Sequence, residues 1–193
     1  MRDVLVDLSF PHEYDVQLIE EISSGSVSAR HIYFPNPAKQ TAQDGLMVKV
    51  MPSRGETWTG TFAFGYASPE ALSAVLSVPD ARRICVVSAG DAYVVSADDP
   101  EVWEKVESHP ITSVRLIPES QLLVFADLTK LTAYGYMGRV WQTSRLSWDG
   151  LKILEVTSRE IKGMAWDSPN GREVEFVVCL ETGSHEGGSS PEV

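Results

Sequence analysis

Residues 57–66 alternate strictly between two kinds of side chain. Successive side chains on a β-strand point to opposite faces, so a period of two predicts a strand here. One face carries small residues, and we expect the other face to be buried in a core. The residues on that second face are Trp58, Gly60, Phe62, Phe64 and Tyr66. The two glycines of the segment indicate a bulge or a close backbone approach.

A second pattern predicts a β-hairpin near the C-terminus. Residues 161–167 and 173–181 are both rich in apolar side chains, and they flank the sequence Ser-Pro-Asn-Gly at 168–171. Asn170 and Gly171 supply the two positive φ angles that a tight primed turn requires. We therefore expect two long antiparallel strands joined by that turn.

Two short segments predict helical turns instead of strands. Residues 68–71 read Ser-Pro-Glu-Ala, and residues 99–102 read Asp-Pro-Glu-Val. Each combines a capping residue, a proline at the first helical position and an acidic residue in the first turn. We expect helices of one or two turns at both places.

A pattern of strands recurs along the chain at an offset of 39 residues. Residues 72–79 align with residues 111–118, and both segments end in proline. The pair Val-Trp at 102–103 recurs, after a one-residue deletion, at 140–141. A third unit, residues 150–180, keeps the spacing of the strands. A period of about 40 residues is typical of four-stranded propeller blades.

These patterns predict an all-β fold of stacked antiparallel meanders of about 39 residues, either propeller-like or a partial propeller, with a few short helical turns. A β-sandwich is the alternative. We expect one domain over residues 1–182, with an N-terminal sheet and loop region (1–66), three repeat units (72–107, 111–143 and 150–181) and a flexible tail (183–193). The residues expected in the core are Trp58, Phe62, Phe64, Val75, Val86, Val114, Val124, Trp141, Ile153, Phe176 and Val178.

Composition narrows the classes of function. The 193 residues include 27 acidic and 16 basic side chains, a net charge of −11. Such an acidic chain argues against nonspecific nucleic-acid binding, which needs clustered Lys and Arg. The start of the chain does not resemble a signal peptide, and no apolar run approaches the length of a membrane span. With two cysteines and no disulfide framework, we expect a cytoplasmic protein.

The sequence contains no recognisable catalytic motif. The four histidines are scattered, so no spacing typical of a metal site occurs, and we expect no metal or cofactor. The sequence also lacks a Gly-x-Ser-x-Gly elbow and a phosphate-binding loop. The sequence therefore favours a protein that is not an enzyme.

Side chains typical of binding surfaces concentrate between residues 134 and 166. Trp, Tyr and Arg dominate binding hot spots because they bury a large area and still carry a polar group. Trp148 precedes Asp-Gly at an expected turn, where an aromatic residue is difficult to explain as part of a core. The candidate binding residues are Tyr136, Arg139, Arg145, Trp148 and Trp166.

Residues 109–141 resemble one blade of the Trp-Asp repeat β-propellers. The resemblance rests on residues 109–118, on the apolar run 122–125 and on Val140-Trp141. Ser108 and Gln142 stand where that family has the glycine of its Gly-His pair and its final aspartate. The resemblance implies blade-like sheets and a binding scaffold.

We therefore expect a non-enzymatic protein-interaction or scaffold module that binds a protein partner or self-associates through sheet edges. A first alternative is a small-ligand site, for example for a carbohydrate, lined by Trp141, Trp148 and Trp166. A second alternative is a hydrolase that uses dispersed carboxylates.

Overall fold

The computed structural model describes residues 3–19, 30–37, 43–66 and 68–189. They belong to two compact units, residues 1–106 (unit 1) and residues 107–193 (unit 2), where the sequence predicts one domain. Strands dominate both units, and the helical residues of the described ranges form two 3-10 turns, Pro118–Ser120 and Ser168–Asn170. The prediction of an all-β fold is confirmed.

Unit 1 contains two sheets. Its described strands are β1 (Leu5–Asp7), β2 (Tyr14–Leu18), β3 (Arg30–Phe34), β4 (Gly45–Pro52), β5 (Trp58–Ala63), β6 (Ala74–Ser77), β7 (Arg83–Ser88), β8 (Asp91–Ser96) and β9 (Trp103–Lys105). One sheet has the order β2-β4-β5-β3, and the other has the order β1-β6-β7-β8-β9. The edge strands β3 and β1 run parallel to their neighbours β5 and β6, respectively. The other strand pairs of unit 1 are antiparallel.

Unit 2 consists of two antiparallel meanders. The first comprises β10 (Ser113–Ile117), β11 (Leu122–Ala126), β12 (Leu131–Gly135) and β13 (Gly138–Gln142). The second comprises β14 (Leu151–Val156), β15 (Glu160–Asp167), β16 (Arg172–Cys179) and β17 (His185–Gly187). In both sheets the order of the strands follows the order of the chain. Short turns between neighbouring strands make this arrangement the simplest antiparallel topology.

The ranges of the three predicted repeat units contain the strands of three sheets, apart from β1 and β17. Strands β6–β9 lie in residues 72–107, β10–β13 in residues 111–143 and β14–β16 in residues 150–181. The last meander gains its fourth strand from the segment predicted to be a flexible tail, because β17 pairs with β16. Residues 190–193 of that tail lie outside the described residues.

The two predicted helix starts are turns. The capping bonds form as expected: the Ser68 hydroxyl accepts a hydrogen bond from the Glu70 N–H, and the Asp99 carboxylate accepts one from the Glu101 N–H, both at 3.3 Å. Strands β6 and β9 begin a few residues later and leave too little chain for a helix. These bonds therefore close local turns, which Ser and Asp side chains favour as readily as helix caps.

The hairpin of strands β15 and β16 is confirmed, but its turn differs from the prediction. Asp167 pairs with Arg172, so four residues connect the strands. The first three form a 3-10 turn, and only Gly171 has a positive φ, of 60°. Pro169 explains the difference, because its fixed φ favours a helical turn over a primed one.

In each unit the two sheets share a core. Aromatic rings dominate the core of unit 1, where Phe34 stacks on Phe62 with ring centroids 4.6 Å apart. Aliphatic side chains dominate the core between the two meanders of unit 2. All of the residues predicted to be in the core are buried except Phe64, which is 58% exposed. Strand β5 ends at Ala63, so the alternation that would bury Phe64 stops one residue earlier.

One tryptophan in each unit joins the two sheets by the same kind of hydrogen bond. The indole N–H of Trp58 donates to the carbonyl of Ala97, and that of Trp141 donates to the carbonyl of Leu180. Both bonds are 2.8 Å long, and both join residues 39 positions apart. A buried indole needs such a partner, so each bond fixes one sheet against the next at the period of the repeat.

Candidate functional site

The hairpin of strands β12 and β13 carries apolar side chains in its turn. Gly135 pairs with Gly138, which leaves Tyr136 and Met137 as the two connecting residues. Gly138 has a φ of 106°, a conformation that glycine adopts without strain. Tyr136 is 56% exposed, and Met137 is 91% exposed. A turn is normally polar, so two large apolar side chains at its tip are unusual for a purely structural element.

A β-bulge exposes a third apolar residue on this hairpin. Tyr134 pairs with Arg139, and Ala133 pairs with Trp141, so Val140 is the extra residue on β13. A bulge breaks the alternation of side chains and redirects them. Val140 is 53% exposed as a result, although Trp141 beside it is buried. We name this surface the hairpin tip and define it as Tyr136, Met137, Arg139 and Val140.

Strand β13 is also the last strand of its sheet. The N–H of Thr143 donates to the carbonyl of Leu131, and the Leu131 N–H donates to the Thr143 hydroxyl, so two hydrogen bonds join these residues. The next pair, Thr132 with Gln142, is then of the non-hydrogen-bonded type. The main-chain N–H and C=O of Gln142 therefore point away from β12, toward the open edge, where an added strand can pair with them.

Arg139 provides the charge of the hairpin tip. Its guanidinium forms an ion pair with Glu107, and both side chains are largely exposed. An exposed pair of this kind contributes little to stability, and a guanidinium has five N–H donors. Arg139 can therefore take part in binding without loss of the fold.

The other three predicted binding residues surround the loop between β13 and β14. Arg145 donates from Nε to the carbonyl of Ser147 at 2.9 Å and from its terminal nitrogen to the carbonyl of Trp148 at 2.7 Å. The Trp148 N–H donates to the carbonyl of Trp166, and the Trp166 N–H donates to the Ser147 hydroxyl. Arg145 thus shapes its own loop. Trp166 is 37% exposed, and Trp148 is half-buried.

The three tryptophans proposed for a ligand site do not form an open face. Trp141 is only 7% exposed, and its N–H is already bonded to Leu180. Trp141 joins two sheets by the same kind of hydrogen bond as Trp58. The carbohydrate hypothesis therefore loses one of its three rings.

Two buried carboxylates hold turns together. Asp127 accepts hydrogen bonds from the main-chain N–H groups of Thr129 and Lys130, at 2.7 and 2.8 Å, and one from the Ser108 hydroxyl at 3.1 Å. Asp167 accepts from the side chains of Asn170 and Ser189, at 2.7 and 2.8 Å, and these bonds lower the pKa of its carboxyl. The carboxylate oxygens of Asp127 and Asp167 thus accept hydrogen bonds that stabilise the fold.

Among the described residues, no group of three or more His, Cys, Asp or Glu side chains is arranged to hold a metal ion. In the same ranges, no helix is long and apolar enough to span a bilayer. Both cysteines are free thiols: Cys85 is buried, and Cys179 is half-buried.

Sequence reasoning includes Tyr136 and Arg139 among the binding residues but misses Met137 and Val140. A signal for Met137 was present, because Tyr-Met stands between two glycines where a turn would normally carry polar residues. Val140 gave no such signal, since the repeat aligns it with Val102, and its exposure depends on the bulge.

No protein-family model matches the sequence, and no curated protein matches it. One similar solved structure is a S. cerevisiae complex of Dbp5 and Gle1 variants with Nup159, IP6 and ADP (13% identity, 96% of this chain, 51% of that chain, TM-score 0.43). Another is the crystal structure of the N-terminal domain of Nup159 (12% identity, 95% and 52% coverage, TM-score 0.42). The chain spans about half the length of both matched chains. No partner or activity follows from similarity at this level.

Proposed function

We propose that this chain is a non-enzymatic protein-interaction module that binds an extended segment of another protein at the hairpin tip. The observation that carries the proposal is the exposure of Tyr136, Met137 and Val140 beside Arg139 on an open sheet edge. Tyr, Met and Arg are enriched at protein interfaces relative to the rest of a protein surface. The tip combines three such side chains with a neighbouring aliphatic one.

The open edge of β13 determines the form of the partner. A segment in extended conformation can pair with the outward main-chain groups of Gln142 and place alternate side chains against Val140 and Tyr136. The bulge limits the length of regular pairing that is available. The partner segment is therefore short, and its apolar side chains supply much of the affinity.

Charge favours a different protein over a second copy of this chain. Each copy carries a net charge of −11, so two copies repel each other at long range, whereas a basic partner is attracted. We therefore commit to a partner protein of net positive charge, whose docked segment beside Arg139 is itself apolar. Self-association through the edge is then the competing outcome, and light scattering at high and low salt distinguishes the two.

The test compares variants of the intact chain in affinity capture from native lysate. Val140→Asp and Met137→Asp place a charge in the apolar surface and are expected to abolish retention of a specific protein. Val102→Asp is the matched control, because Val102 is 57% exposed in unit 1 and occupies the equivalent position of the repeat. Circular dichroism verifies that all three variants are folded.

Loss of one captured protein from both tip variants, with retention by Val102→Asp, supports the proposal. Equal capture by all variants, or no capture above bead background by the wild type, contradicts it. Trp166→Ala is a useful fourth variant, because Trp166 is the more exposed of the two tryptophans beside the β13–β14 loop and stays a candidate contact. The same comparison shows whether the partner contacts the hairpin tip or Trp166 beside the β13–β14 loop.

A further inference from the structure

Met137 differs from the other described methionines in its exposure. It is 91% exposed at the tip of the β12–β13 turn, whereas Met47, Met51 and Met164 are half-buried on strands. We propose that Met137 is a site of reversible oxidation that switches the hairpin tip between an apolar and a polar state. The inference deepens the proposed function, on which its regulatory part rests.

The chemistry is a two-electron oxygen transfer from a hydroperoxide. The thioether sulfur of Met137 attacks the outer oxygen of the peroxide, the O–O bond breaks, and an S–O bond forms. The sulfur is oxidised to the sulfoxide, and hydrogen peroxide is reduced to water. Methionine sulfoxide reductases return the thioether with two electrons and two protons from thiols, which are oxidised to a disulfide, and the oxygen leaves as water, so the change is reversible. Access of peroxide to the sulfur limits the reaction at half-buried sites, and the exposure of Met137 removes that limit.

The position of Met137 gives the oxidation a consequence. A sulfoxide is a strong hydrogen-bond acceptor, and docking on the hairpin tip would remove it from water beside Tyr136 and Val140. A buried acceptor without a partner costs enough to weaken binding about ten- to hundredfold. The hairpin itself stays folded, because the Met137 side chain points into solvent and contributes little to the core.

The first measurement is independent of any partner. The intact chain is treated with graded hydrogen peroxide, and peptide mapping by mass spectrometry follows each methionine. Met137 is expected to be oxidised at doses that leave most of Met47, Met51 and Met164 intact. On a phenyl column, the oxidised wild type is expected to elute earlier than the reduced protein. Met137→Leu keeps an apolar side chain without sulfur, so its elution should not change.

The second measurement uses the capture assay with oxidised and reduced protein. Oxidation is expected to weaken capture by the wild type about ten- to hundredfold, whereas oxidised and untreated Met137→Leu are expected to capture equal amounts, whatever the level of capture by that variant. Oxidation of Met137 no faster than of the other three methionines, or equal loss of capture by both proteins, overturns the inference. If reduced wild type captures nothing, the proposed function fails, while peptide mapping and the phenyl column still decide whether the site exists.

Discussion

Units 1 and 2 differ in the side chains that fill their cores and in the bulges of their strands. In unit 1, five aromatic rings pack between the sheets: Phe34, Trp58, Phe62, Tyr93 and Trp103. In unit 2, the shared core is mainly aliphatic, and Trp141 and Phe176 are its aromatic members. Large rings fill much of the space between the sheets of unit 1, whereas aliphatic side chains fill most of it in unit 2.

The second difference concerns bulges. Among the described strand pairs, both register shifts lie in unit 2, at Val140 on β13 and at Leu154 on β14. Each bulged residue is aliphatic and more than half exposed, at 53% and 67%. Bulges limit edge-to-edge pairing, and here they also bring apolar side chains to the surface. Unit 2 therefore combines a closed core with exposed aliphatic side chains at two bulges, whereas no register shift occurs among the described strand pairs of unit 1.

Truncation of the two sheet-joining tryptophans gives the largest expected effect. Trp58→Ala should lower the free energy of unfolding by about 3–5 kcal/mol, because a fully buried ring and its hydrogen bond to Ala97 are lost. Trp141→Ala should cost less, since Trp141 packs mainly against aliphatic groups and gives up no ring–ring contact. Urea denaturation measures both. An equal cost for the two variants would contradict the difference between the cores.

Thiol labelling provides a second contrast between the units. Burial raises the pKa of the Cys85 thiol, whereas hydrogen bonds from the side chain and main chain of Thr182 lower that of Cys179. The thiolate is the reactive form, so iodoacetamide should modify Cys179 in the folded protein and leave Cys85 unmodified until unfolding. Mass spectrometry of the labelled peptides reads both sites, and Cys179→Ser is the control. Labelling of Cys85 at a comparable rate would refute this prediction.

Acid should loosen the C-terminal strand of unit 2. The pKa of Asp167 is lowered in the folded chain, so its stabilising contribution is complete above the usual value of 3.8 and is lost as pH falls through the lowered value. The bond from Ser189 then weakens, and the amides of β17 should exchange faster. Hydrogen exchange below pH 4 measures this effect. Asp167→Asn should remove the pH dependence, and an unchanged profile in that variant would argue against the assignment.

Two turns of unit 2 give the smallest effects, and these have opposite signs. Gly171 and Gln121 each follow a 3-10 turn in the left-handed conformation, with φ of 60° and 52°. Gly171→Ala should destabilise by about 0.5–1 kcal/mol, because a Cβ at this φ is strained. Gln121→Gly should stabilise by about 0.5 kcal/mol for the same reason. Thermal melting resolves both changes, and a shift of the same sign in both variants would contradict this account.

Much of the fold could be predicted from alternation and spacing. The strict period of two around Trp58 and the recurrence at 39 residues locate the strands, because side-chain alternation and sheet packing are local and periodic properties. The predicted helices at residues 68–71 and 99–102 failed for a physical reason. The same Ser and Asp side-chain bonds close turns and cap helices, and only the strands that follow decide between them.

The candidate site was predictable only in part. Tyr136 and Arg139 stand out as interface-type residues in the sequence, but the exposure of Val140 depends on which residue β12 leaves unpaired. Register depends on how two strands pair with each other, and the preference of a single residue for a strand or a turn does not predict it. Trp141 was predicted to be in the core and is buried, which removes it from the alternative ligand site.

Site-specific photo-crosslinking tests the central claim most directly. A photoreactive phenylalanine is introduced in place of Tyr136 at the hairpin tip or of Val102 in unit 1, and the intact protein is irradiated in native lysate. We expect a discrete covalent adduct with another protein from position 136 and none from position 102. Equal adducts from both positions, or none from either, would contradict a docking surface on the β12–β13 hairpin.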